Sequence, residues 1–160
     1  MSGKTESTIQ IREITPNNAD DITDIIRDLH WFPHLNSEPR SETVKRVTHQ
    51  ITANCANDTH IGYVAVKEEH VIGYCSVHWI PYLFLQGDEG YVSEVFVAES
   101  HRGKGIGERL VDTIIHDAEE QGCVRLMLVT GKNRDSYQRG FYKKHGWTER
   151  ERIANFVYEF

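Results

Sequence analysis

Six consecutive residues carry the strongest chemical signal in the chain: Arg102, Gly103, Lys104, Gly105, Ile106 and Gly107. Three glycines at alternate positions allow positive φ and let successive N–H groups converge on one point. The apolar residues Leu110, Val111, Ile114, Ile115 and Ala118 recur at helical spacing and predict a helix over residues 105–121. Its start adds unpaired N–H groups and the positive end of the helix dipole. Together these make a cradle that suits a pyrophosphate, with Arg102 and Lys104 adding positive charge at its mouth. The same run could also be a glycine-rich turn that binds nothing. Two common phosphate motifs fail on spacing. The Walker pattern Gly-x-x-x-x-Gly-Lys-Ser/Thr is absent, and Gly103, Gly105 and Gly107 give Gly-x-Gly-x-Gly instead of the dinucleotide fingerprint Gly-x-Gly-x-x-Gly.

Just upstream, Glu94 interrupts the apolar run of residues 91–97. A carboxylate there is either a reactive base or a solvated or ion-paired group. Strand alternation places it on the face opposite Ser93 and Val95. Tyr142, beside Phe141, reads by itself as a core aromatic before it reads as a proton donor.

Residues 8–14 alternate as a first strand, and Pro16 to Asn18 turn the chain, with Asn18 placed to cap a helix carrying Ile22, Ile25, Ile26 and Leu29. Trp31 to His34 and Ser37 to Pro39 break that pattern before a second helix at residues 41–53. Residues 60–67 and 71–80 form a hairpin about the charged turn Glu68-Glu69-His70. Residues 91–97 are another strand. Beyond the long helix, Gly122 is a stop signal, and residues 124–129 read as a strand covered on both faces. Residues 136–145 look helical, and residues 148–160 supply one or two terminal strands. The order implies an α/β (α+β) sandwich around a mostly antiparallel sheet with a parallel pairing near its middle. Without repeats or linkers, residues 1–160 read as a single domain.

A net charge of -6 argues against nucleic acid as a partner and is compatible with a cationic substrate. The 3 cysteines, Cys55, Cys75 and Cys123, form no Cys-x-x-Cys pair and suggest a reducing, cytoplasmic setting. The polar start lacks a signal-peptide core, no apolar run approaches a membrane span, and the 9 histidines show no metal-ligand spacing. The Asp20, Asp21, Asp24 and Asp28 series reads as the wet face of the first helix. Trp31, Phe32 and His34 lie in the inter-helix region, where core packing and substrate contact are equally open.

At this point the chain resembles the GNAT superfamily of acyl-CoA-dependent N-acetyltransferases, whose signature is Arg/Gln-x-x-Gly-x-Gly/Ala after a strand ending in valine. Arg102, Gly105 and Gly107 match it, with Val97 as that valine, and Phe141, Tyr142, Gly146 and Trp147 match the family's Phe-Tyr-x-x-x-Gly-aromatic element. The resemblance runs from residue 8 to residue 160. It implies a mixed central sheet flanked by helices and splayed between the fourth and fifth strands. It implies that acetyl-CoA is the cosubstrate, held by the loop amides of residues 102–107 and by the strand at Val95, Phe96 and Val97. Val95 N–H is then the candidate for polarising the thioester carbonyl, Tyr142 the acid for the thiolate, and Asn133 a coenzyme contact. Glu94 is the candidate base, with Glu89, Asp88 and His78 as rivals, because the loop at residues 80–90 should border the acceptor. The implied reaction is direct attack by an amine in a ternary complex, on a small-molecule or peptide acceptor, by a monomer or homodimer. No metal is implied. A non-catalytic acyl-CoA-binding sensor is the alternative, and a nucleotide-binding protein a third possibility.

Overall fold

The computed structural model describes residues 8–160. Its centre is a five-stranded sheet in the order β1-β2-β3-β4-β5. The strands are β1 (Gln10–Glu13), β2 (His60–Lys67), β3 (His70–Ile80), β4 (Glu89–Val97) and β5 (Arg125–Leu128). β1 to β4 pair antiparallel in sequence order, and β4 pairs β5 in parallel. The charged turn of the β2–β3 hairpin places Glu68 and Glu69 at φ 50 and 67.

Both faces of the sheet are covered, and the periodicity explains by what. On one face α1 (Ala19–Asp28) and α3 (Arg40–Asn54) bring Ala19, Ile22, Ile25 and Ile51 onto Val64, Val66, Val71 and Tyr74. On the other, α4 (Ile106–Glu120) buries Ile106, Leu110, Val111, Ile114 and Ala118, the stripe its helical spacing requires. Gly73 makes that approach possible, since a Cβ there would stand 3.3 Å from both Ile106 and Leu110. Each fully buried Leu or Ile contributes about 2 kcal/mol relative to exposure.

Several elements differ in detail from expectation. Asp20, Asp24 and Asp28 lie on the exposed face of α1, as expected, while Asp21 is half-buried. Asp20 and Asp24 bind Arg40 of α3 at 2.9 and 2.7 Å, and Asp21 accepts the Val71 N–H at 2.8 Å. The broken stretch after α1 folds as a short helix, α2 (Pro33–Ser37), because Pro33 suits a first helical position. Asn18 precedes α1 but turns its side-chain oxygen back to the Thr15 N–H at 2.9 Å instead of capping the helix. Finally, β5 is an edge strand, with Val124 and Val129 47% and 51% exposed. Arg125 interrupts that apolar run and turns its guanidinium to the buried Glu89 carboxylate.

The chain divides after Leu128 into two compact units. In the second, the expected helix at residues 136–145 is two short ones, α5 (Asp135–Gln138) and α6 (Phe141–Lys144), parted by Gly140 at φ 68. Residues 148–160 form no strand, where one or two terminal strands were expected. A strand requires a hydrogen-bonded partner, and strand propensity does not supply one. Glu149 is instead drawn into ion pairs with Lys132 at 2.9 Å and Lys143 at 3.1 Å. Among the described residues no helix is long and apolar enough to cross a membrane.

Candidate active site

The glycine run connects the end of β4 to the start of α4, as its spacing predicted. Gly103 and Gly105 lie at φ 72 and 76, conformations that side-chain-bearing residues avoid, and Gly105 is the N-cap of α4. A Cβ at either glycine would meet nothing within 4 Å, so the backbone there faces open space. Ile106, only 1% exposed, anchors the helix start in the core. The first N–H groups of α4 have no intrahelical acceptor and the helix dipole adds to them, so the cradle fits a pyrophosphate. The two cations serve it differently from expectation. Arg102 Nε donates to Val97 O at 3.1 Å and Lys104 Nζ to Ser100 O at 3.0 Å, tying the loop to its own backbone.

β4 supplies the second component. It pairs with β5 only from Glu89 to Val92, so Ser93 to Val97 have no β5 partner. This is the expected splay between the fourth and fifth strands, and it exposes the backbone edge at Val95 and Val97. The Phe96 side chain turns away from a ligand role. Its ring packs 5.5 Å from Tyr74 and 5.6 Å from Trp31, which leaves only the Phe96 backbone for the strand edge.

On the β3 side the register slips: Val92 faces Val77 but Glu94 faces Ser76, leaving Ser93 as an extra residue. Such a bulge sends two successive side chains to one face. Ser93 and Glu94 therefore share a face, where strict alternation had separated them. Ser76 Oγ donates to Glu94 Oε2 at 3.2 Å, and the Tyr74 hydroxyl donates to Glu94 Oε1 at 3.2 Å. Ser76 Oγ also lies 2.8 Å from Ser93 Oγ, which is 3.1 Å from His78 Nε2. The His60 ring stacks 4.2 Å behind His78. Burial, reinforced by His78, lowers His60 to about 4. Burial lowers His78 as well, with Glu94 opposing, and burial beside Glu94 raises the Tyr74 hydroxyl. Glu94 is exposed, so its carboxylate is held in place yet reachable.

The rival carboxylates differ in setting. Glu89 is 1% exposed and ion-paired with Arg125, while Asp88 is exposed at the start of β4. The β3–β4 loop presents Leu83 and Phe84, 107% and 75% exposed, on the Glu89 side of the strand. A cavity of about 350 Å³, bordered by Glu13, Asp58, His60 and Trp79, opens at the far end of the sheet from the glycine loop. Among the described residues no group of three or more His, Cys, Asp or Glu could hold a metal ion.

Tyr142 and Asn133 belong to the second unit. The Tyr142 ring packs 5.0 Å from Phe141 and 6.0 Å from Trp147, and burial raises its hydroxyl above the ordinary tyrosine value. Asn133 is exposed in the turn before α5. Tyr74, Ser76, Ser93 and His60 are site residues that motif spacing does not reveal. Tyr74, Ser76 and His78 recur at every second position of β3, a readable polar row on one strand face. The bulge that brings Ser93 to it leaves no mark in residue type.

Comparison with known proteins places this geometry. Residues 23–147 match the model of the acetyltransferase (GNAT) family. A thialysine N-epsilon-acetyltransferase from Bos taurus is 25% identical over 130 residues, covering 75% of this chain and 73% of its own length. A mycothiol acetyltransferase from Corynebacterium efficiens is 30% identical over 130 residues, but the chain spans only 40% of its length. Among solved structures, one titled a transcriptional regulator from Bacillus halodurans superposes with a TM-score of 0.83 at 24% identity, covering 96% of this chain and 100% of its own. An aminoglycoside N-acetyltransferase in complex with CoA superposes with a TM-score of 0.75 at 15% identity, covering 99% and 100%.

Proposed function

Because the chain belongs to the acetyltransferase (GNAT) family, we propose that it is an N-acetyltransferase that moves the acetyl group of acetyl-CoA to the amino group of a small amine. The observation that carries this reading is the open, glycine-formed cradle at the start of α4, directly after a strand whose edge beyond Val92 is unpaired. In this reading the amides of residues 102–107 receive the pyrophosphate, with Arg102 and Lys104 bracing the loop. The backbone of Val95, Phe96 and Val97 pairs with the pantetheine arm as an added strand would. The coenzyme supplies an activated thioester and a thiolate leaving group.

The remaining work falls to the chain. A primary amine has a pKa of about 10 and is mostly charged at neutral pH, so a base must take its proton. Glu94 does this, held by Tyr74 and Ser76 and open to solvent. Val95 N–H stabilises charge on the carbonyl oxygen under attack. Tyr142 donates a proton to the departing sulfur, and its burial keeps the hydroxyl in the protonated form an acid requires. Asn133 adds a coenzyme contact. The amine attacks directly, with no acyl-enzyme. Cys75 is buried and pushed up to about 12, which disfavours the thiolate such an intermediate would need. A cationic acceptor suits the carboxylate of Glu94 and the net charge of -6. The amine-acetylating relatives point the same way.

The test is thiol release from acetyl-CoA across lysine analogues, polyamines, amino sugars, aminoglycosides and peptides, with Tyr142→Phe and Glu94→Gln alongside wild type. Acceptor-dependent thiol release that falls about 100-fold in either variant supports the assignment. Stabilisation by CoA with no turnover across the panel would identify a sensor instead. Stabilisation by ATP or NAD but not CoA would sink the coenzyme reading.

A further inference from the structure

We infer that His78 is the anchor of a directed hydrogen-bond chain, running from His78 Nε2–H through Ser93 and Ser76 to Glu94, that holds the Glu94 carboxylate aimed. The inference deepens the reading of Glu94 as the base and rests on it. Its content is that His78 is a positioning residue, and that the imidazole does not itself take the amine's proton.

The direction of the chain follows from counting protons. An ionised carboxylate only accepts, so Ser76 Oγ spends its single proton on Glu94 Oε2 at 3.2 Å. Ser93 Oγ, 2.8 Å from Ser76 Oγ, must then be the donor in that contact. Its own proton being committed, Ser93 has only lone pairs for His78 Nε2 at 3.1 Å, so Nε2 carries a hydrogen. That lone-pair site is thereby closed to an incoming proton. The neutral Nε2–H tautomer and the imidazolium both donate at Nε2, so the chain points toward Glu94 in either state. His78 is faced by His60 from β2, and by Glu94 and Tyr91 from β4. Glu94 itself is gripped at both oxygens, since the Tyr74 hydroxyl donates to Oε1 at 3.2 Å. An exposed glutamate otherwise samples several rotamers, and ordering it costs free energy. Aligned donors also reinforce one another.

Two measurements test this, and the first needs no acceptor. Nitrogen NMR of the imidazole at about pH 8, where a histidine is neutral, should show His78 as the Nε2–H tautomer in wild type and in Ser93→Thr. An Nδ1–H tautomer overturns the chain. The second is kinetic. His78→Gln keeps an N–H for Ser93, and Ser93→Thr keeps the hydroxyl, so both should hold kcat within about 2-fold. His78→Phe and Ser93→Ala remove a link and should lower kcat about 10-fold, with KM for acetyl-CoA and the melting transition unchanged. The pH profile of kcat/KM should show no inflection that His78→Gln removes. His78→Gln as inactive as His78→Phe would make the imidazole the base and overturn the inference, as would Ser93→Ala at the wild-type rate. If His78→Phe fails to fold, the Ser93 pair and the tautomer decide. Full activity in Glu94→Gln sinks the base reading whatever the tautomer. An Nδ1–H tautomer sinks the chain even if Glu94→Gln is dead.

Discussion

Replacing Gly105 by alanine separates what the glycine loop does for the fold from what it does for a ligand. Gly105 sits at φ 76 as the N-cap of α4, a conformation that costs an L-residue about 1–2 kcal/mol. Alanine also stiffens the unfolded chain, which offsets about 0.4–1 kcal/mol of that cost. No packing penalty is added, because a Cβ there meets nothing within 4 Å. The net loss is about 1 kcal/mol, or a fall in Tm of about 2–4 °C for a chain of this size. The effect on coenzyme A should be larger. The methyl group stands in the space the pyrophosphate is proposed to fill, and a lost hydrogen bond to a charged oxygen is worth about 1.5–3 kcal/mol. That weakens binding about 10- to 100-fold. Thermal unfolding and titration calorimetry with coenzyme A measure the two effects independently. A Tm lowered as expected with an unchanged Kd for coenzyme A would refute the cradle.

Leu110 is fully buried between α4 and β3, so Leu110→Ala should cost about 3 kcal/mol, read as a lower urea midpoint with an unchanged m-value. Arg125→Met strands the buried Glu89 carboxylate and should cost about 3 kcal/mol, while Glu89→Gln with Arg125→Met should recover more than half of it. A double variant no more stable than Arg125→Met would show that the charge pairing is not what matters there. His60 is lowered from 6.5 to about 4 in the folded state, so between those values the unfolded chain binds a proton the folded chain refuses. Stability should therefore fall as pH drops from 6.5 to 4, and His60→Gln should flatten that slope in urea midpoints taken across the window. Parallel slopes for the two proteins would remove His60 from the account.

Much of the scaffold was legible because its cues are local. The β2–β3 hairpin, the buried stripe of α4 and the glycine loop each follow from short-range period or from residues of special conformation. What escaped depends on partners distant in the chain. Whether residues 148–160 become a strand depends on a neighbour, and no periodicity in those residues supplies one. The polar row Tyr74, Ser76, His78 was present in β3, but nothing in its spacing says that Ser93 completes it. Glu94 was found as an oddity in an apolar run, yet its partners 18 and 20 residues away were not. Arg125 was overlooked inside an apolar run although it neutralises the most deeply buried carboxylate.

The extra residue at Ser93 acts on β4 as a frameshift acts on a message. Before it, Tyr91 and Ser93 look toward His78; after it, Glu94 and Phe96 look the same way. If Ser93 were instead taken into a regular ladder and the bulge were lost, every later side chain would swing across the sheet. Glu94 would then be driven under α4, against Leu110 and Ile114, and Val95 and Val97 would take its place outside. The bulge thus sets the parity by which a carboxylate stands in water, where it can meet an amine, instead of buried in the core.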